Sequence, residues 1–351
     1  MESLSRPALT SDTPYVRDIL AQARVLTPSI DRMAAACRKG ALPSALERAS
    51  YDRIVLTGMG SSYWALHPLF LRLIGSRRNA WLIETSELLS DAPALYQEGR
   101  PLIVAASQSG ASGEIVHMLR ARSDRCTIVG LTNEPEGPLA KEAAASLVSD
   151  VGPEATVSCK TYLACLAAQS LLGDLLLGAQ PEASHLLAAA EAVAGYLEHW
   201  QTHVENMQSE LKGIRQVYLA GRGGSLAAAC TGGLIIKEST HVPAEGMSSG
   251  AFRHGPLEMI GAQTMLVVFS GTGAGESLNA GLFEDAIRLG GKAALVRQAA
   301  GPGAWNIAET AVNALPMLEI LPIQMMTLAL GHLQGRTPGE FSHSRKVTTR
   351  E

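Results

Sequence analysis

Cysteine is scarce in this chain, and the few cysteines present are not grouped. Among 351 residues there are five, an odd number with no Cys-x-x-Cys pair: Cys37, Cys126, Cys159, Cys165 and Cys230. This pattern argues against a disulfide framework and offers no zinc-site spacing. We therefore expect a cytoplasmic protein.

Long runs of one residue type are missing as well. The net charge is −4, and no cluster of Lys or Arg is long enough to indicate a nucleic-acid or membrane surface. Residues 1–17 contain no apolar stretch of signal-peptide length. The most apolar segment, residues 162–177, includes Gln169 and Asp174 and falls short of the roughly 20 residues that span a bilayer. We expect neither a nucleic-acid partner nor a membrane, and interpret this segment as a core or interface helix.

What the chain does have is the composition and periodicity of an α/β protein. It is 46% hydrophobic and 18% charged, the balance of a globular protein, and is long enough for two domains. Helices are expected at 161–178, 183–205 and 323–333, and as two segments within 14–48, with Ile30, Met33 and Cys37 on one face of the second. Short apolar strands are expected at 53–56, 80–83, 102–105 and 127–131, and then at 216–220, 265–269 and 293–296. Alternation of strands and helices predicts parallel sheets covered by helices.

The two halves of the chain repeat one plan. A strand, a Gly-rich turn with Ser and a helix of small residues occur at 53–70 and again at 216–238. The repeat predicts tandem copies of one fold unit.

Ser107 to Ser112, with the sequence SQSGAS, follows a strand and precedes a helix. Such a turn leaves backbone N–H groups and three hydroxyls aimed at one point, which suits a phosphate group. The alternative is an ordinary Ser/Gly loop. A second Gly- and Ser-rich turn at residues 56–62 favours the phosphate interpretation, because both turns would lie at the carboxyl edge of one parallel sheet.

Three further residues could carry chemistry. Glu238 closes a helix of small and apolar residues, so its carboxylate is either partly desolvated and suited to proton transfer or a plain exposed helix end. His254 precedes a Gly-Pro turn and is either an acid or base on a constrained loop or an incidental histidine, with His241 and His343 as competitors. Lys346 lies in a polar tail that could equally be disordered.

Several motifs stand in an order that resembles the sugar isomerase (SIS) domain family. Besides residues 107–110 they occupy 160–162, 221–223, 237–238, 244–245 and 254–257, followed by a terminal Lys-Val-Thr at 346–348. The pattern is similar to the isomerase half of glucosamine-6-phosphate synthase, which is two tandem SIS domains with a catalytic tail. The resemblance covers roughly residues 50–351.

The resemblance implies a role for each matching residue. Glu238 would move a proton between C1 and C2 of the sugar, His254 would assist ring opening, often in the neighbouring subunit's site, and Lys346 would approach the carbonyl and can form a Schiff base. A phosphosugar isomerase needs these three functions. The residues implied in holding the sugar phosphate are Ser62, Ser107, Gln108, Ser109 and Ser112.

The resemblance also implies the organisation of the chain. It predicts an N-terminal helical segment at 1–48, a first, phosphate-binding SIS domain at 49–200, a second SIS domain at 201–338 and a catalytic tail at 339–351. Each SIS domain would be a parallel sheet flanked by helices, a flavodoxin-like three-layer sandwich. No metal or organic cofactor is expected, and the protein would be a homodimer with sites shared between subunits.

Three departures from the synthase bear on the substrate. Only about 50 residues precede the first SIS domain, so we expect no glutamine amidotransferase activity. A lysine one helical turn before the catalytic Glu is replaced by Ile235, and the loop 154–160 is one residue shorter than in the family pattern. The resemblance favours a phosphosugar isomerase or deaminase that acts on an amino sugar phosphate and converts glucosamine 6-phosphate into fructose 6-phosphate and ammonia. Deglycases acting on fructosamine 6-phosphates, and non-catalytic sugar-phosphate sensors, are the alternatives.

Overall fold

The computed structural model describes residues 12–301, 303–343 and 346. These form two compact units. The first unit comprises 25–153, 160–187 and 346, and the second comprises 12–24, 154–159, 188–301 and 303–343. Each unit thus combines separate stretches of chain. The domain boundaries expected at residues 48, 200 and 338 stay a prediction.

The first unit contains a parallel sheet of five strands within the described residues. They are β1 (Arg53–Gly58), β2 (Ala80–Glu84), β3 (Pro101–Ser107), β4 (Thr127–Thr132) and β5 (Ala145–Val148). Their order is β2-β1-β3-β4-β5, the flavodoxin-like arrangement. Every residue of the central strand β3 is buried, as expected when helices cover both faces of a parallel sheet.

The described part of the second unit repeats this sheet. Its strands are β6 (Gln216–Gly221), β7 (Ala244–Ser248), β8 (Thr264–Phe269), β9 (Lys292–Gln298) and β10 (Asn306–Ile307). The order β10-β9-β8-β6-β7 is the order of the first sheet written from the opposite edge. β6 therefore takes the place of β1, and β8 that of β3. The prediction of tandem α/β copies is confirmed.

The helices connect and cover these strands. In chain order they are α1 (Pro14–Arg38), α2 (Ala41–Arg48), α3 (Gly60–Ala65), α4 (His67–Gly75), α5 (Thr85–Ser90), α6 (Ala94–Gln97), α7 (Gly113–Ala121), α8 (Pro138–Glu142), α9 (Lys160–Leu176), α10 (Ser184–Leu197), α11 (Trp200–Leu211), α12 (Leu226–Thr240), α13 (Ser249–Arg253), α14 (Glu276–Arg288) and α15 (Leu315–Leu333). Single 3₁₀ turns lie at Gly223–Ser225, Pro256–Met259 and Gly273–Gly275. None of these helices is long and apolar enough to cross a bilayer.

The N-terminal helices differ from the prediction in where they are divided. Ile30, Met33 and Cys37, expected on a second helical segment, belong to α1, which continues through Pro28. A proline inside a helix removes one hydrogen bond and crowds the preceding turn. Burial of the apolar face that includes these residues offsets that cost.

Other differences concern short or interrupted elements. The helix expected at 183–205 is divided into α10 and α11, and α15 begins at Leu315 instead of residue 323, with Pro316 in its first turn. Strands β5, β7 and β10 were not predicted. They are the outer strands of their sheets and have four, five and two residues, too few for a clear periodicity.

Glycine allows α12 to lie directly on the second sheet. A Cβ at Gly246 of β7 would overlap the carbonyl oxygen of Ala229 and the Cα of Cys230 in α12. The two backbones are therefore in contact where they cross. This contact fixes the helix whose last turn carries Glu238.

Candidate functional site

Two turns meet at the carboxyl edge of the first sheet. β1 and β3 are neighbours, with Gly58 opposite Ala106, so the chain leaves both strands at the same level. A Cβ at Gly58 would lie 2.8 Å from the Ala106 carbonyl oxygen and 3.2 Å from the carbonyl carbon of Ser62. Glycine is required here because the two turns approach each other so closely.

The predicted phosphate loop, residues 107–112, has a defined conformation. The Ser107 hydroxyl accepts a hydrogen bond from the Gly110 amide at 3.1 Å, and the Ser109 hydroxyl accepts one from the Ala111 amide at 3.2 Å. Gly110 has φ +61°, a conformation that favours glycine. Ser112 is the N-cap of α7 and makes no side-chain capping bond, so the first N–H groups of α7 stay available to an anion.

The loop that follows β4 supports the phosphate loop. The Asn133 amide donates to the Gln108 carbonyl at 3.0 Å, and the Leu139 amide donates to the Gly110 carbonyl at 3.0 Å. The Asn133 side chain is buried and accepts from the Val151 amide at 2.8 Å. We did not predict a role for Asn133; a single polar residue directly after the strand was the only signal.

Five predicted residues therefore share one edge of the first sheet. Ser107 is buried, whereas the others are half-buried and accessible. The edge offers hydroxyls, amide groups and a helix N-terminus but no basic side chain among these residues, so it suits an anion held by neutral donors. The residues are Ser62, Ser107, Gln108, Ser109 and Ser112.

Glu238 belongs to the second unit and lies in the last turn of α12. Its side chain is half-buried, between the desolvated and the fully exposed alternatives. Tyr15 is a buried neighbour whose pKa is raised chiefly by burial, with a smaller effect of the Glu238 carboxylate. Tyr15 also accepts a hydrogen bond from the Thr327 hydroxyl at 3.3 Å. No local pattern could indicate that this phenol lies near Glu238, because more than 200 residues separate the two in the chain.

The start of the C-terminal tail packs against the same end of α12. The Gly339 amide donates to the Ser239 carbonyl at 3.3 Å, and a Cβ at position 339 would lie 2.6 Å from Tyr15 Cβ. Farther on, the rings of His343 and His241 lie 6.3 Å apart. His343 of the tail thus lies near His241, the residue that directly follows α12. These are the two histidines that were alternatives to His254.

His254 and Lys346 lie elsewhere. His254 follows α13, is exposed, and precedes a single 3₁₀ turn at Pro256–Met259. Lys346 is half-buried and is grouped with the first unit. The residues on both sides of Lys346, 344–345 and 347–351, lie outside the described part of the chain.

Among the residues that the structure describes, no group of three or more His, Cys, Asp or Glu side chains is placed to hold a metal ion.

A family model described as SIS domain matches residues 49–174 and 210–297, more than half of the chain, with all five strands of the first sheet and β6 to β8 and most of β9 of the second. The chain belongs to the SIS domain family. The two segments correspond to the two parallel sheets, which confirms the expected pair of SIS domains.

Curated relatives include two enzymes described as glutamine–fructose-6-phosphate aminotransferase (isomerizing). The relative from Thermococcus kodakarensis is 26% identical over 326 residues, which cover 87% of this chain and 53% of the relative. The relative from Caulobacter vibrioides is 25% identical over 346 residues, covering 89% and 54%. The chain spans about half the length of these relatives.

Solved structures share the fold over nearly the whole chain. The C-terminal domain of glucosamine-fructose-6-phosphate aminotransferase from Francisella tularensis has a TM-score of 0.80 and 18% identity, with 94% of this chain and 98% of that chain covered. Glucosamine-6-phosphate deaminase from Thermotoga maritima has a TM-score of 0.78 and 20% identity, with 96% and 100% covered. At these identities the likeness is one of fold.

Proposed function

We propose that this protein is a phosphosugar enzyme that converts glucosamine 6-phosphate and water into fructose 6-phosphate and ammonia. The observation that carries the proposal is the edge of the first sheet, where two turns present hydroxyls and the free N-terminus of α7. That arrangement suits a phosphate monoester. SIS family membership and the fold shared with a glucosamine-6-phosphate deaminase support the choice of sugar.

The phosphate end of the substrate would be held by neutral groups of the first unit. Ser107 and Ser109 each use a hydroxyl oxygen to accept a loop amide, so each hydroxyl proton is free to point at a phosphate oxygen. The side chain of Gln108 and the hydroxyls of Ser62 and Ser112 add donors. Together they would fix one end of an open-chain sugar and leave C1 and C2 to the catalytic groups.

The chemistry would proceed in three steps. His254 assists opening of the ring, which gives a C1 aldehyde and a C2 amine. Glu238 takes the proton from C2 while the C1 oxygen gains a proton from water, which gives an enolamine. Glu238 then returns its proton to C1 and the nitrogen loses a proton to water, so that a C1 hydroxymethyl group and a C2 imine form. Water adds to C2 and the C2–N bond breaks, which releases ammonia and leaves a C2 ketone. The Lys346 ammonium would stabilise the negative charge that develops on the C1 oxygen.

The exposed position of His254 favours a homodimer in which this residue serves the partner's site. An exposed side chain with a role in the reaction is explained if the second subunit covers it. We also propose a cytoplasmic location, where sugar phosphates are produced and consumed.

The test is incubation of purified protein with glucosamine 6-phosphate, measuring ammonia and fructose 6-phosphate together, with Lys346→Ala as the control. Equal amounts of both products, lost in the variant, are expected. Release of an amino acid from a fructosamine 6-phosphate, with no ammonia from glucosamine 6-phosphate, would make the protein a deglycase. Thermal stabilisation by sugar phosphates without any product would indicate a sensor.

A further inference from the structure

The second sheet carries a turn that matches the Gly-Ser turn after β1. β1 ends at Gly58 and β6 ends at Gly221, and in each case the second residue after that glycine is a glycine with positive φ, +54° at Gly60 and +58° at Gly223. The residues between, Met59 and Arg222, have φ/ψ of −124°/149° and −128°/157°. In this alignment Ser225 stands where Ser62 stands in the first sheet.

The loop after β8 likewise corresponds to the phosphate loop after β3. Residues 270–275 read SGTGAG against SQSGAS at 107–112. The fourth residue is a glycine with positive φ in both loops, +61° at Gly110 and +70° at Gly273, and a helix starts directly after each loop, α7 or α14. Ser107 and Ser109, the first and third residues of the first loop, correspond to Ser270 and Thr272, which also carry hydroxyl groups.

These two turns of the second unit also lie together. A Cβ at Gly271 would lie 3.3 Å from the Ser225 hydroxyl oxygen and 3.7 Å from the Asn279 side-chain nitrogen. A Cβ at Gly275, the N-cap of α14, would lie 3.4 Å from Cδ of Arg222. The stem of the arginine therefore passes the N-terminus of α14, and its guanidinium lies at the first turn of α13, where a Cβ at Gly250 would be 3.7 Å from Nη1 and 3.8 Å from Nη2.

No acidic side chain of the described residues pairs with the guanidinium of Arg222. Within the described residues it makes no ion pair, and its Nε is buried without a hydrogen-bond partner. A cation beside a helix N-terminus is unfavourable, because the helix dipole is positive there. A bound anion at the accessible part of the guanidinium would supply the missing counter-charge.

The buried carboxyl group beneath the turn does not oppose an anion. Glu319 is 1% exposed, and its second oxygen, Oε2, has no hydrogen-bond partner in the described part of the chain. Burial raises the pKa of Glu319 to about 8, so at neutral pH this group is mostly protonated and uncharged.

We propose that the edge formed by Arg222, Ser270, Thr272 and the N-terminus of α14 binds a phosphate monoester, which gives each chain a second phosphate site. The comparison with the first loop rests on the proposed function. The observations on Arg222 and on the two adjacent turns of the second unit are independent of the proposed function. Met59 in the first sheet and Arg222 in the second also imply different affinities, since a guanidinium bonds phosphate more strongly than neutral donors do.

Binding of sorbitol 6-phosphate, measured by isothermal titration calorimetry at pH 7, tests this site. The probe has no carbonyl group, so the proposed reaction cannot consume it, and sorbitol and inorganic phosphate show which part of the probe is recognised. We expect two molecules per chain. Arg222→Met, which copies the first turn, should weaken one of the two sites at least about tenfold, the loss of one charge-assisted hydrogen bond. Ser109→Ala should weaken the other.

Two further variants make the result decisive. Thr272→Val removes a hydroxyl from the same loop and should weaken the same site as Arg222→Met, while Arg215→Met, an exposed arginine just before β6, should change neither site. One molecule per chain with an affinity unchanged by Arg222→Met and Thr272→Val would overturn the inference. Two sites without any turnover would reject the proposed function only, and turnover with one site would reject this inference only.

Discussion

The Ser225 hydroxyl donates a 2.7 Å hydrogen bond to Oε1 of Glu319, and both residues are buried in the second unit. Burial is the main cause that raises the pKa of this carboxyl group from 4.5 to about 8, and the hydrogen bond opposes it. Between these two values the folded protein keeps a proton that the unfolded chain has released. The free energy of unfolding must therefore fall as the pH rises through this range.

Replacing Glu319 with Gln should remove this dependence. The amide keeps an acceptor for Ser225 and does not ionise, so the variant should lose less stability than the wild type between pH 5 and 8. The expected difference in slope is up to about 1.4 kcal/mol per pH unit, the effect of one proton. Melting temperatures across this range measure it, with Glu284→Gln on the exposed surface of α14 as control. Parallel curves for wild type and Glu319→Gln would contradict the shifted pKa.

The close crossing of β7 and α12 leads to a prediction about stability. Gly246→Ala would place a Cβ on the backbone of Ala229 and Cys230, so strand and helix must separate. We expect destabilisation by about 3 kcal/mol, the upper range for overpacking in a core. Urea unfolding measures it against Gly261→Ala, where the new Cβ meets no atom within 4 Å. Equal midpoints for the two variants would show that α12 is not held by this contact.

Much of the fold could be predicted because buried parallel strands are short apolar runs with clear ends. β3 and β8 are buried at every position, and both were expected within two residues of their observed bounds. β10 could not be predicted, because two residues carry no periodicity. The boundary between the two N-terminal helices was misplaced, because α1 continues through Pro28 to Arg38, where packing overrides the effect of the proline.

Only the part of the candidate site that lies within one continuous segment of the chain could be predicted. The SQSGAS string concentrates hydroxyls and glycine in six residues, so the loop could be found from sequence alone. Tyr15 and Gly339, which surround the end of α12, come from opposite ends of the chain, and no local pattern connects them. The SGTGAG loop was missed because its likeness to SQSGAS becomes clear only when β8 is seen to take the place of β3.

Ser109 provides a test of the phosphate loop in the working enzyme. Its hydroxyl accepts from the Ala111 amide, so Ser109→Ala removes both a loop contact and a donor to phosphate. We expect KM for glucosamine 6-phosphate to rise about tenfold or more, the value of one hydrogen bond to a charged group, with little change in kcat. Ser90→Ala on the exposed end of α5 should leave both unchanged. A fall in kcat at constant KM would place Ser109 at the reacting carbons instead.

Sharing of sites between subunits can be tested by mixing two inactive variants. Glu238→Gln should abolish turnover while sorbitol 6-phosphate still binds, because the half-buried Glu238 is assigned to proton transfer and not to phosphate binding. His254→Ala should also be strongly impaired, and its exposed position leaves the fold intact.

If each site combines Glu238 of one subunit with His254 of the other, a mixed dimer has one site with both defects and one with none. Random exchange of subunits in equal amounts makes half of the dimers mixed, so about a quarter of the wild-type activity should return, by the two-fold symmetry of the assembly. Activity is measured before and after the variants are incubated together, and light scattering gives the mass of the assembly. A double variant, Glu238→Gln with His254→Ala, mixed with either single variant is the control and should restore nothing. Failure of the two single variants to complement each other, despite demonstrated subunit exchange, would place both residues in the site of one chain.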